Sequence, residues 1–163
     1  MQQHGSDKNM SKSSSLADYV KRRNGLPLGA PGSLQAMLSR SLGAESFPKF
    51  WRYWNPIWGY YLSRYVMRPL VKFLPRWLAV LLTFAVSGAL HDLAVTLFKW
   101  HPVFFFTPWF TLMGLVVVLS SAFNINYKSL AINVRTFINI SLIVLTFYVT
   151  HLLCSGQLSL SSI

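Results

Sequence analysis

The stretch TFAVSGALHDLAV, residues 83–95, sets a histidine and an aspartate side by side inside an otherwise apolar run. Titratable side chains in a membrane-spanning helix cost several kcal/mol, and by default they mark a functional site. Neutral imidazole accepts a proton from a hydroxyl at cellular pH, which makes His91 a candidate general base. It lies roughly 5 Å past the middle of its run by helical rise. Thr83, Ser87 and His91 recur every fourth residue, so one helix face carries a polar stripe. Ser87 and Asp92 are candidates to support or orient a substrate beside it. The second candidate, Asn55, follows Trp54 in FWRYWNPIWGYY, residues 50–61, where seven of twelve side chains are aromatic. Its amide can donate to an acyl oxygen or orient a substrate, with Trp54 as a supporting ring. Both residues also have structural accounts. His91 can bond a neighbouring helix, with Asp92 as its partner or as an interfacial anchor. Asn55 directly before Pro56 is a strong helix-start signal, an N-cap followed by proline at the first helical position.

The elements that must position these groups are apolar helices. The chain is 53% hydrophobic and only 12% charged, against about 25% charged in ordinary soluble domains. Residues 77–98, 103–123 and 137–153 form three runs nearly free of charge, and a bilayer core takes roughly 20 apolar residues as a helix. The third run begins earlier if Asn133 and Arg135 lie at the interface. The expected fold is an all-α integral membrane protein, with about three transmembrane helices preceded by amphipathic and interfacial helices. The net charge of +11 is lopsided: twelve of the fifteen Lys and Arg residues precede Trp77. That bias fits an N-terminus in the cytoplasm and a C-terminus outside, in an expected bacterial inner membrane, and it draws the chain toward anionic membrane lipids. It does not fit nucleic-acid binding, because no recognition motif accompanies it. Cys154 stands alone and has no neighbouring ligands for a metal. The first fifteen residues are polar and contain no signal-peptide core.

Along the chain, residues 1–32 read as a disordered, basic cytoplasmic region that includes a short helix over 16–23. Residues 33–155 read as the membrane domain and 156–163 as a short polar tail. Leu34, Met37, Leu38 and Leu42 share one face of an amphipathic helix over 33–42. A further helix is expected from Pro56 to about Arg68, stopped by Pro69, its rings suited to the headgroup zone. Ala85, Gly88 and Ala89 would let a neighbouring helix approach closely. Three spans are too few for an inverted-repeat transporter.

Taken together, Phe50, Trp51, Trp54 and Asn55, followed by Ser87, Gly88 and His91, resemble the membrane-bound O-acyltransferase (MBOAT) family. Its members carry an aromatic FW-x-x-W-[HN] segment, then a histidine after small residues in a long helix. LSRYVMRPL, residues 62–70, also resembles the family. The resemblance covers about residues 33–153 and corresponds to the C-terminal part of members that are usually several hundred residues long. It implies acyl transfer from a thioester, acyl-CoA or an acyl carrier protein, to an alcohol. No bound cofactor is implied. His91 would be the base, and Asn55 would bind or polarise near the reacting centre. Three spans would not enclose both substrates, so the resemblance implies completion by a homo-oligomer or by other membrane subunits. The alternative is a non-catalytic membrane subunit or assembly factor built on the same scaffold.

Overall fold

The computed structural model describes residues 15–160, and side chains as far as residue 155. Residues 1–14 of the expected polar stretch over 1–15, and the last three residues of the expected tail, lie outside the described residues. All regular structure among the described residues is helical.

Helix α1 (Leu16–Asn24) is capped by Ser15, whose hydroxyl accepts the Asp18 N–H, and it ends at Gly25 with a positive φ of 82°. Helix α2 (Ser33–Leu42) follows with the bounds its amphipathic pattern predicts. The aromatic stretch is not one element. Its first half closes a separate helix, α3 (Phe47–Tyr53), capped by Ser46. Phe47 and Phe50 are each only 1% exposed and form the core with Ala44, Met113 and Val117. Trp51 packs edge-on against Phe84 at 5.2 Å. These rings are interior packing rather than headgroup anchors. In the second half Trp54, Ile57 and Tyr61 stay exposed, as does Tyr65 just beyond it.

Helix α4 (Pro56–Leu62) starts at its Asn55 cap, as expected. It then passes through a π-helical turn over Ser63–Met67 into α5 (Arg68–Leu70), where Pro69 is tolerated instead of stopping the chain. In the turn the Arg68 N–H reaches back five residues to the Ser63 carbonyl. This wider register accommodates a ring that would crowd a regular α-helical turn.

Three long apolar helices follow. Helix α6 (Arg76–Lys99) has 24 residues, about 36 Å of rise. Helix α7 (Phe106–Ala122) has 17, and α8 (Ile132–Leu160) continues into the region read as a polar tail. Two stretches, Arg76–Lys99 and Ile132–Ser155, are long and apolar enough to cross a bilayer, whereas α7 is shorter. Only 22% and 17% of their most apolar windows are buried, which does not suit core helices of a water-soluble domain. Leu93, Leu97, Phe137, Val144 and Leu145 are all more than half exposed. Helices this apolar and this bare are consistent with an integral membrane protein.

Helices α6 and α7 form the most extensive pair. A Cβ on Gly88 would stand 2.5 Å from the Phe106 carbonyl oxygen and 2.7 Å from Thr107 Cα. Glycine therefore lets the start of α7 lie directly on α6. A buried polar clasp fixes the other end. Asn139 on α8 donates to the Leu42 and Ala44 carbonyls at 2.9 and 3.1 Å, and accepts the Tyr127 hydroxyl. Burial pushes the Tyr127 phenol up to about 12, so it stays a neutral donor.

Candidate active site

His91 sits two thirds of the way along α6, four residues after Ser87. Its Nδ1 lies 2.7 Å from the Ser87 carbonyl oxygen. A carbonyl only accepts, so Nδ1 carries a proton, and in the neutral ring the lone pair is then on Nε2. The i, i+4 spacing of the polar stripe makes this bond possible, since a side chain leans toward the preceding turn. Around the ring stand Phe110 at 4.8 Å, Phe106 at 5.8 Å and the edge of Trp58 at 6.2 Å between centroids. The half-buried imidazole of α6 therefore rests among aromatic rings from α4 and α7.

Ser87 is 4% exposed, and its hydroxyl accepts the Trp58 indole N–H at 3.0 Å. That bond ties the aromatic helix α4 to the histidine helix. Asn55 sits at the start of this connection. Its backbone has a φ of 39°, in the left-handed region that asparagine tolerates better than most residues. Its Oδ1 accepts the Trp58 N–H at 3.2 Å, and its own N–H meets Met37 Sδ at 3.3 Å. Asn55 therefore caps the turn that presents Trp58, Trp58 holds Ser87, and the Ser87 carbonyl fixes His91. No direct hydrogen bond joins Asn55 and His91 among the described residues. Trp54 stacks on Phe50 at 5.4 Å and supports α3 rather than the imidazole.

Asp92 points away from its neighbour, because consecutive helix positions diverge by about 100°. Its Oδ1 accepts the Phe105 and Phe106 N–H groups at 2.9 and 2.8 Å. Its Oδ2 accepts the Thr107 N–H at 2.8 Å and the Thr107 hydroxyl at 2.6 Å. A buried carboxylate thus satisfies the opening donors of α7. Asp92 is not the partner of His91. It fixes where α7 begins, and so where Phe106 and Phe110 meet the imidazole.

Trp58 is the residue that sequence reasoning did not single out. The available signal was its place three residues after a capping Asn, together with the need of an indole N–H in apolar surroundings for an acceptor. Ser87, one of very few polar groups in the run, was the available acceptor.

The chain is all-helical among the described residues and of membrane character, and one long apolar helix holds a histidine bonded to the preceding turn. The sequence profile of MBOAT, the membrane-bound O-acyltransferase family, matches residues 38–151. The chain belongs to that family. No curated protein and no solved structure matches it.

Proposed function

We propose that this protein transfers an acyl group from a thioester, acyl-CoA or acyl carrier protein, to a hydroxyl acceptor, with His91 as general base. The observation that carries this reading is the 2.7 Å contact from His91 Nδ1 to the Ser87 carbonyl, which leaves Nε2 to accept a proton. In the reaction Nε2 takes the acceptor's hydroxyl proton as the oxygen attacks the thioester carbon. A tetrahedral intermediate forms, the C–S bond breaks, and the imidazolium returns the proton to the departing thiolate. The surrounding rings of α4 and α7 flank the imidazole, and closing the remaining side against water would limit hydrolysis of the thioester. Ser87 and Trp58 hold the base in place. Acylated products compared by mass spectrometry, with and without the protein, test this reading.

Asn55 separates a positioning role from a substrate-binding one. Asn55→Asp keeps an oxygen for the Trp58 N–H and tolerates the left-handed backbone, yet removes the amide donor. Asn55→Ala loses the cap and adds backbone strain, together about 1–3 kcal/mol of stability. If the amide touches an acyl oxygen, Asn55→Asp lowers turnover at an unchanged melting temperature. If Asn55 only caps, Asp is nearly silent and Ala lowers stability and turnover together.

The proposed topology is three spans, α6, α7 and α8, in a bacterial inner membrane with the N-terminus cytoplasmic. Reporter fusions at Gly5 and Ser162 are expected on opposite sides, and a shared side contradicts the scheme. Completion of the site by a second copy or other membrane subunits belongs to the same proposal. Ala89 and Leu90, two and three residues after Ser87, are exposed and available to such a neighbour.

One observation favours the second reading, a non-catalytic subunit on an acyltransferase scaffold. Two of the clefts among the described residues, lined by α2, α3, the adjoining ends of α7 and α8 and their connection, do not include His91. A large complex that turns over no thioester would support that reading.

A further inference from the structure

The two clefts adjoin at the end of the molecule where α7 stops and α8 starts, sharing the Glu45–Lys49 ion pair. The smaller, about 230 Å³, is lined by Arg40 and Arg135 beside that pair. The larger, about 530 Å³, adds Arg52 and Lys128. Five cations thus meet one carboxylate, and Glu45–Lys49 is the one ion pair among the described residues. The chain has only four acidic residues against fifteen basic ones. Lys49 takes Glu45, and Arg40 and Arg135 donate to the Arg23 and Gly43 carbonyls. Arg40, Arg52, Lys128 and Arg135 form no ion pair among the described residues. Arg135 Nε is buried with no hydrogen-bond partner among the described residues.

Neutral donors complete the larger cleft. Ser46 and Ser120 are buried and line it, as does the amide of Asn124. The Ser46 oxygen accepts the Lys49 N–H, which leaves its O–H to donate. Ile125 lines the cleft, and Phe123, Leu130 and Ile132, at the adjoining ends of α7 and α8 and in their connection, are like it more than 40% exposed. A carboxylate would be satisfied by one guanidinium. Several separated cations with hydroxyl and amide donors suit the three or four acceptor oxygens of a phosphate. The volume also leaves room for the alcohol the phosphate esterifies.

We infer that this basic cleft binds a phosphate ester, supplied either by an anionic glycerophospholipid, with its chains along the apolar skirt, or by a soluble phosphate ester. The site stands apart from His91 and does not depend on acyl transfer. In the proposed topology it faces the cytoplasm.

The test uses the whole protein in neutral detergent, with dioctanoyl phosphatidylglycerol and glycerol 3-phosphate as separate probes and dioctanoyl phosphatidylcholine as the neutral-headgroup control. Saturable binding is read as Kd and as a rise in melting temperature. The Arg52→Gln/Lys128→Gln variant is expected to bind roughly 30-fold more weakly. Arg52→Lys/Lys128→Arg should restore binding, and Arg22→Gln/Arg23→Gln on α1, with the same loss of charge, should leave it unchanged. Tighter binding of the lipid than of glycerol 3-phosphate assigns the headgroup as the source; equal binding assigns the soluble ester. The inference is overturned if neither probe saturates, if phosphatidylcholine binds as well as phosphatidylglycerol, or if the α1 variant loses as much as the cleft variant.

Discussion

Replacing His91 with alanine is expected to reduce acylated product by roughly 10²- to 10⁴-fold, the usual contribution of a positioned general base. Folding should survive the change. The Ser87 carbonyl keeps its helical partner when the side chain is removed, and the ring it loses is only half buried. His91→Gln, which fills more of the same space, should melt with the wild type and be equally inactive. Exogenous imidazole should partly restore turnover in His91→Ala, because the rings of Phe106, Phe110 and Trp58 leave a slot of the right shape. His101 and His151 are exposed, and their alanine variants should retain activity. Mass spectrometry of acylated lipids and glycans from cells carrying each variant is the measurement. Product at the wild-type level with His91→Ala would remove His91 as the base. Product that never depends on the protein would favour the subunit reading.

Local signals in this chain were legible because they are complete within a few residues. Helix α2 is bracketed by Gly32 and Gly43, with its apolar positions on one side. The Asn55–Pro56 start and the extent of α6 follow from capping chemistry and from an unbroken apolar run. What escaped the sequence depends on partners distant along the chain. Phe47 and Phe50 look like the surrounding exposed rings until Met113 and Val117, more than sixty residues later, cover them. The second apolar run begins at Val103, but α7 does not. The Val103 N–H goes to the Thr96 hydroxyl at 2.9 Å, and the helix opens only where Asp92 caps it. Pro69 predicts a stop only in an α-helical register, and a π turn changes that register. His91 was recognisable as a site from its setting. The Trp58–Ser87 bond that organises it crosses 29 residues and needs the fold.

The largest effect on stability is expected at Asp92, although it stands beside the proposed base. Asp92→Ala leaves the Phe105, Phe106 and Thr107 N–H groups and the Thr107 hydroxyl without their acceptor. Loss of an N-cap alone costs about 0.5–2 kcal/mol, and each buried donor left unpaired about 1–3. A total on the order of 5 kcal/mol follows, within the range reserved for broken buried networks. Asp92→Asn should cost less, since its oxygen still accepts two N–H groups while its amide meets the Thr107 N–H donor to donor. Thr107→Val removes one hydroxyl bond and should cost about 1 kcal/mol. Unfolding of the purified protein in mixed micelles would rank the three variants. Activity discriminates further. The carboxylate holds the first turn of α7, and that helix carries Phe106 and Phe110 against the imidazole. If Asp92 acts only by placing α7, turnover among the three variants should fall in step with stability, and lowering the temperature should recover part of it. His91→Ala should instead lose turnover with stability intact. An Asp92→Asn protein as stable as the wild type but inactive would contradict the positioning role, and would place the carboxylate in contact with the reacting groups.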